Sequence, residues 1–158
     1  MEKRYDRIHY MDTRAVGDPV AVWKLINEGI VSFDDDLSPK TETKQFIADK
    51  SEREFVSSYK PSFKYSAELD HTDPVSEKLY EVGADQKVGV SCDIVTIDLW
   101  TLAAGTCTAR KGNYNLIPSK AGSGEAGGAL KMEGTLTQSG DLIKGTWTVA
   151  TSTFTPAV

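Results

Sequence analysis

Side-chain polarity alternates most regularly in the last quarter of the chain. In "EGTLTQSGDLIKGTWTV", residues 133–149, Leu136 is followed by Thr137, and Trp147 and Val149 are separated by Thr148. A period of two sends successive side chains to opposite faces of a strand. Ser139-Gly140-Asp141 sits between two such runs, and glycine can supply the positive φ of a tight hairpin turn. The pattern therefore predicts strands at about 128–138 and 142–155 around that turn, with Trp147 in the core. "YKPSFKYSAEL", residues 59–69, alternates in the same way. Tyr59, Phe63, Tyr65, Ala67 and Leu69 share one face, and Lys60, Ser62, Lys64, Ser66 and Glu68 the other, as in a half-buried strand. Apolar, β-branched runs predict further strands at about 90–101 and 106–117, and glycine-rich "AGSGEAGG", 121–128, reads as a hairpin loop.

Only "TDPVSEKLYEVG" has a helical pattern. Asp73 can cap, Pro74 suits the first helical position, Gly83 can end the helix, and Val75, Leu79 and Val82 form a narrow apolar stripe. Upstream, "GDPVAVWKLINEGIVSF" lacks a clean helical stripe; it predicts a strand, a turn near Asn27-Glu28-Gly29, and a second strand through Phe33. Residues 1–16 have mixed charge and no period, and read as an N-terminal arm. Residues 34–58 are strongly charged and read as one long extended loop, anchored by Phe46, Ile47 and Phe55. The expected fold is one mainly β domain over 1–158. It is an antiparallel β-sandwich or barrel-like sheet with one short flanking helix at about 73–82.

The chain's 158 residues suffice for a normal core, and its 39% hydrophobic and 26% charged content is ordinary for a globular domain. A net charge of −5 argues against a general binder of nucleic acid or anionic membranes. The start is charged with no apolar run behind it, and no run approaches the ~20 residues that span a bilayer. These features predict a soluble protein that stays inside the cell that makes it. The expected pairing of 90–101 with 106–117 sets Cys107 opposite Trp100 and Cys92 near Asn115. At ~3.3 Å per residue the sulfurs would lie ~20 Å apart, so two free, buried thiols are expected.

Candidate chemistry is sparse. The two histidines, His9 and His71, are far apart in sequence and form no evident acid–base or nucleophile set. Asp34-Asp35-Asp36 lacks the alternating ligands and glycine turn of a calcium loop. The glycines of 121–128 are not followed by Lys-Ser/Thr and a helix, as a phosphate cradle would be. Gly145-Thr146-Trp147 has the Gly-x-Trp form of lipocalins, but near the wrong end of the chain. No cofactor, metal or catalytic residue is predicted. Strand 92–101, however, is apolar on both faces, with Val95, Ile97 and Leu99 on one and Cys92, Ile94 and Trp100 on the other. Together with the charged loop and arm, this suggests surfaces for other copies of the chain, since sheet edges can be extended by a neighbour's strand.

"SPKTETKQFIADKS", "YKPSFKYSAEL" followed by "DPVSEKLYEVG", and the Gly-Thr-x-x-x-Ala-Thr-x-x-Phe ending at 145–154, in this order, resemble the major tail (tail tube) proteins of long-tailed bacteriophages. The resemblance covers most of the chain from about Trp23. It implies a structural virion protein, made in the host cytoplasm, whose six-membered rings stack into the tail tube. The tube would meet tape-measure, tail-terminator and baseplate or tip proteins, and DNA would pass through its lumen into the host without specific binding. No membrane is involved and there are no catalytic residues to carry over. DNA is densely anionic, so a conduit should present acidic or neutral groups to the bore. Asp93, Asp98, Glu133, Thr135 and Thr137 are the candidates for that face, with Lys131 and Arg110 counting against a uniformly acidic wall. Phe46, Ile47 and Phe55 are the candidate inter-subunit residues. The alternative function is that of a monomeric β-barrel binding a small ligand.

Overall fold

The computed structural model describes residues 1–158. After a 3-10 turn at Arg4–Asp6 come β1 (Arg7–Asp12), β2 (Trp23–Leu25), β3 (Ile30–Asp36), β4 (Lys40–Lys44), β5 (Arg53–Ser58), β6 (Ser62–Glu68), α1 (Pro74–Ala84), β7 (Ser91–Ala103), β8 (Thr106–Ser123), β9 (Lys131–Thr148) and β10 (Thr153–Pro156). Eight strands form one antiparallel sheet in the order β2-β1-β7-β8-β9-β6-β3, with β10 joining the far end of β9; β4 and β5 pair only with each other. The sheet curls into a half-barrel, so the mainly β, barrel-like reading with one flanking helix holds.

Inside the curl, Phe33, Phe63, Tyr65, Tyr114, Met11, Met132 and Leu136 pack together, covered by Val75, Leu79 and Val82 of α1. The helix forms where its caps allow. Asp73 accepts a hydrogen bond from the Ser76 backbone N–H at 3.0 Å, Pro74 opens the first turn, and the buried Ser76 hydroxyl accepts from Asp70 N–H at 3.0 Å. Gly83 does not end it. A Cβ there would lie 2.9 Å from Ala121 and 3.2 Å from Pro118, so this glycine lets the helix touch β8, and the chain turns away only at Gln86, whose φ is 51°.

Four expectations change. The N-terminal arm is largely structure: Arg7–Asp12 forms β1, paired with β2 on one side and β7 on the other. The loop of 34–58 is the end of β3 followed by the β4–β5 hairpin. Ser139-Gly140-Asp141 makes a bulge within one 18-residue strand rather than a hairpin turn. Around it Asn113 faces Ser139 while Lys111 faces Ile143, and Gly140 takes a φ of 82°. Finally, the apolar faces of β7 are covered within the chain over residues 92–97, while Trp100 stays 52% exposed. Cys92 and Ile94 join the inner cluster, whereas Val95 and Ile97 pack with Cys107, Ala109 and Trp147 on the other side. The two thiols are free and buried on opposite faces, with Cys92 opposite Tyr114, one residue from the expected register.

Candidate assembly surfaces

Residues directly opposite in an antiparallel pair point to the same face. Across β6, β9, β8 and β7 the pairing runs Ser62, Thr137, Asn115, Ser91, and beside it Lys64, Thr135, Ile117. This is the face turned away from the inner core, and it carries four of the five candidate lumen residues. Glu133 lies 3.7 Å from Lys120, and Asp93 accepts a hydrogen bond from the Asn113 amide at 3.0 Å with Arg14 at 3.7 Å. Asp36 of β3 faces Lys64 at 3.9 Å. The face is polar and its carboxylates are interleaved with cations, so it is closer to neutral than acidic.

Asp98 does not belong with them. It is five residues from Asp93 on a regular strand and so points to the opposite face, where it is 6% exposed. Arg110 donates to it at 2.6 Å and Arg7 lies 3.9 Å away, while Arg7 also meets Asp35 of β3 at 3.0 Å. Arg4 donates to the Phe33 carbonyl at 3.1 Å. These contacts tie β1 and β7 to β3 across the open seam of the half-barrel, where no backbone pairing closes it. The network was invisible in sequence because its members come from four separate segments.

His9 points into the same interior, between the rings of Phe33 and Phe63, with Nδ1 2.9 Å from Thr96 Oγ1. Burial, and then the nearby Arg4 and Arg7 charges, push its pKa down to about 3. A histidine this hard to protonate, sealed among aromatic rings, is a poor general base for the adjacent hydroxyl. Burial likewise pushes the Cys92 thiol up to about 12, which removes its nucleophilic thiolate at neutral pH. No three His, Cys, Asp or Glu side chains converge to hold a metal ion. No helix is long and apolar enough to cross a membrane.

The candidate inter-subunit residues all sit on the β4–β5 hairpin, every residue of whose strands is exposed. Phe46 and Phe55 are 56% and 40% exposed and Ile47 is fully so. Arg53 lies over the Phe46 ring, 5.6 Å from its centre, and Lys44 over the Phe55 ring at 5.3 Å. A surface that sequence reasoning missed is a cleft of about 770 Å³ between residues 12–18, α1 and the start of β7. Its buried wall is organised by Asp12, which accepts from Arg14 Nε at 2.7 Å and from the Val22 backbone N–H at 3.1 Å. The Lys78 ammonium donates to the Asp12 carbonyl at 3.1 Å.

No protein-family model matches the chain, and no curated protein is detectably similar in sequence. Solved structures are similar in fold. The chain resembles the tail of an empty gene transfer agent (GTA) particle of C6 symmetry, with TM-score 0.63 and 11% identity over 90% of this chain and 97% of that one. It resembles the SPP1 tail tube, with TM-score 0.66 and 12% identity over 91% of this chain and 78% of that one. A chain of the native gene transfer agent virion matches with TM-score 0.59 and 12% identity over 98% and 99%. The half-barrel with its flanking helix is thus a fold shared with the SPP1 tail tube and with chains of gene transfer agent particles.

Proposed function

We propose that this chain is a structural subunit of a phage-type tail tube. Six copies form a ring, rings stack into a tube, and DNA passes through the bore into the host cell. The protein then resides in the virion tail, its tube ends meeting tape-measure, terminator and baseplate or tip proteins. The observation that carries the reading is the β4–β5 hairpin. It pairs with nothing but itself and leaves Phe46, Ile47, Phe55 and Val56 exposed. An isolated hairpin is marginal in water, and ordering its residues costs ~1 kcal/mol or more each. A neighbouring subunit offers the surface that offsets this. The fold likeness to the SPP1 tail tube and to chains of gene transfer agent particles supports the same reading. Asp93, Glu133, Thr135 and Thr137 share a polar, charge-interleaved face suited to line a bore that lets DNA slide without holding it.

The ligand-binding alternative is weaker, because the interior a ligand would need is filled by the aromatic and aliphatic core. The test is to replace residues 40–58 with a short Gly-Ser linker and measure unfolding and assembly separately. The expected product is a folded monomer that forms no tubes. Normal tubes from this variant would overturn the role given to the hairpin.

A further inference from the structure

We propose that residues 4–7 form a strap that holds the end of β3 and so sets the direction in which the β4–β5 hairpin leaves the barrel; this rests on the tube reading and names what aims the hairpin. β3 is an end strand of the sheet, paired with β6 on one side only. Its middle is fixed by Phe33, buried against His9 and Phe63. Its last three residues are Asp34, Asp35 and Asp36, which carry no apolar anchor. Parity sends Asp35 to the face of Phe33, and Asp34 and Asp36 to the other, where Lys64 lies 3.9 Å from Asp36. Side chains alone meet the free edge of β3. The Arg4 guanidinium donates to the Arg7 carbonyl at 2.6 Å and to the Phe33 carbonyl at 3.1 Å, standing where a pairing strand would stand. Arg7 reaches Asp35 at 3.0 Å and shares Asp98 of β7 with Arg110. The 3-10 turn that spaces the two arginines is closed by Asp6, whose carboxylate accepts from the Lys3 backbone N–H at 2.6 Å.

Beyond the strap the chain has little slack. The Asp36 carboxylate accepts from the Ser38 backbone N–H at 3.0 Å and from its hydroxyl at 3.1 Å, and Lys60 N–H donates to the Leu37 carbonyl at 3.1 Å. These bonds couple the root of the hairpin to the end of β3. The five residues of β4 reach ~17 Å from that root at ~3.3 Å each, so a swing of about 10° at Asp36 moves their far end by ~3 Å. A displacement of a hydrogen bond's length is enough to miss a contact on another copy. Arg7 and Asp35 are both partly exposed, and such pairs add little to global stability. Their effect here is orientation, because no strand pairs with this edge. The aspartate run and the charged start of the chain, each a solvated stretch by itself, are two halves of one contact.

The test reads the root directly. Nitroxide labels go on Leu37→Cys, at the exposed root, and Lys131→Cys, an exposed position of β9 paired on both sides; the native thiols are buried. Pulsed electron spin resonance then measures the distance distribution in the monomer, and electron microscopy of unlabelled protein gives the concentration at which tubes appear. The proposal expects a narrow distribution with the strap intact and a wider one in Arg4→Ala, Arg7→Ala. Urea unfolding of that variant should match the wild type, and its tubes should need a roughly tenfold higher concentration. Arg7→Lys, with Arg4 in place, should keep the narrow distribution, since a cation still faces Asp35. Equal widths with and without the arginines overturn the strap. A widened root with tubes at the wild-type concentration overturns its link to assembly. Asp35→Ala leaves the Asp98–Arg110 pair whole and replaces the double variant, with the same outcomes, if that one does not fold. A wild-type chain that stays monomeric contradicts the tube reading, while the root measurement still decides the strap.

Discussion

Acid should weaken this fold through one side chain, His9. Its pKa is about 3 in the folded chain, lowered first by burial and then by Arg4 and Arg7, against 6.5 for an ordinary histidine. Between these values the unfolded chain holds a proton that the folded chain refuses, so stability rises with pH across this window and is fully present above 6.5. Each pH unit within it is worth ~1.4 kcal/mol, so acidification from pH 7.5 to 4.5 should cost ~3 kcal/mol at this site. Such a loss is a large part of the ~5–15 kcal/mol that holds a domain together. Urea unfolding of the wild type and of His9→Phe, at both pH values and below any assembly concentration, isolates the effect, because other titrating groups are common to both. The wild type should lose ~3 kcal/mol more than the variant on acidification. Parallel losses would refute the reasoning, and would mean that water or a counter-charge reaches the imidazole between Phe33 and Phe63.

Leu79 is 2% exposed beneath the sheet, so Leu79→Ala should cost ~2–5 kcal/mol in calorimetry; a loss under half a kcal/mol would place the stripe in solvent. A Cβ on Gly145 would collide with the Thr155 carbonyl and come within 2.8 Å of the Phe154 ring, so Gly145→Ala should release β10. Hydrogen exchange should then show residues 153–156 losing protection while β7 and β8 keep theirs. Cys92 and Cys107 are buried, so both should resist a thiol reagent in the native state and react together on unfolding. Rapid native labelling of either would contradict its place in a core.

The parts of the fold legible in the sequence are those whose stabilising partners are local or whose faces differ. Asp73 and Pro74 write the start of α1 beside its own apolar stripe, and β6 alternates because only one of its faces is buried. The hairpin β4–β5 is exposed on both faces, so no alternation distinguishes it from a charged loop. β1 hid for the opposite reason. Its buried His9 and Asp12 look like surface residues until Thr96, Arg14 and Val22 satisfy them. At 139–141 the sequence has the glycine of a tight turn and was expected to make one, but β8 is long enough to pair on both sides of it, so the segment is a bulge and not a hairpin. Strand parity was legible for Glu133, Thr135 and Thr137, which share one face of β9, whereas at Asp98 parity places the side chain on the buried face. The α1 cleft needed residues 12–18 and 74–93 brought together, and no local pattern announces that.

The central claim, that this chain builds a tube, is tested most directly by electron microscopy of the purified protein across a concentration series. The account predicts rings and stacked tubes with six subunits per ring, in which each subunit's β4–β5 hairpin reaches a neighbouring copy. A stable, monodisperse monomer at every concentration would contradict it.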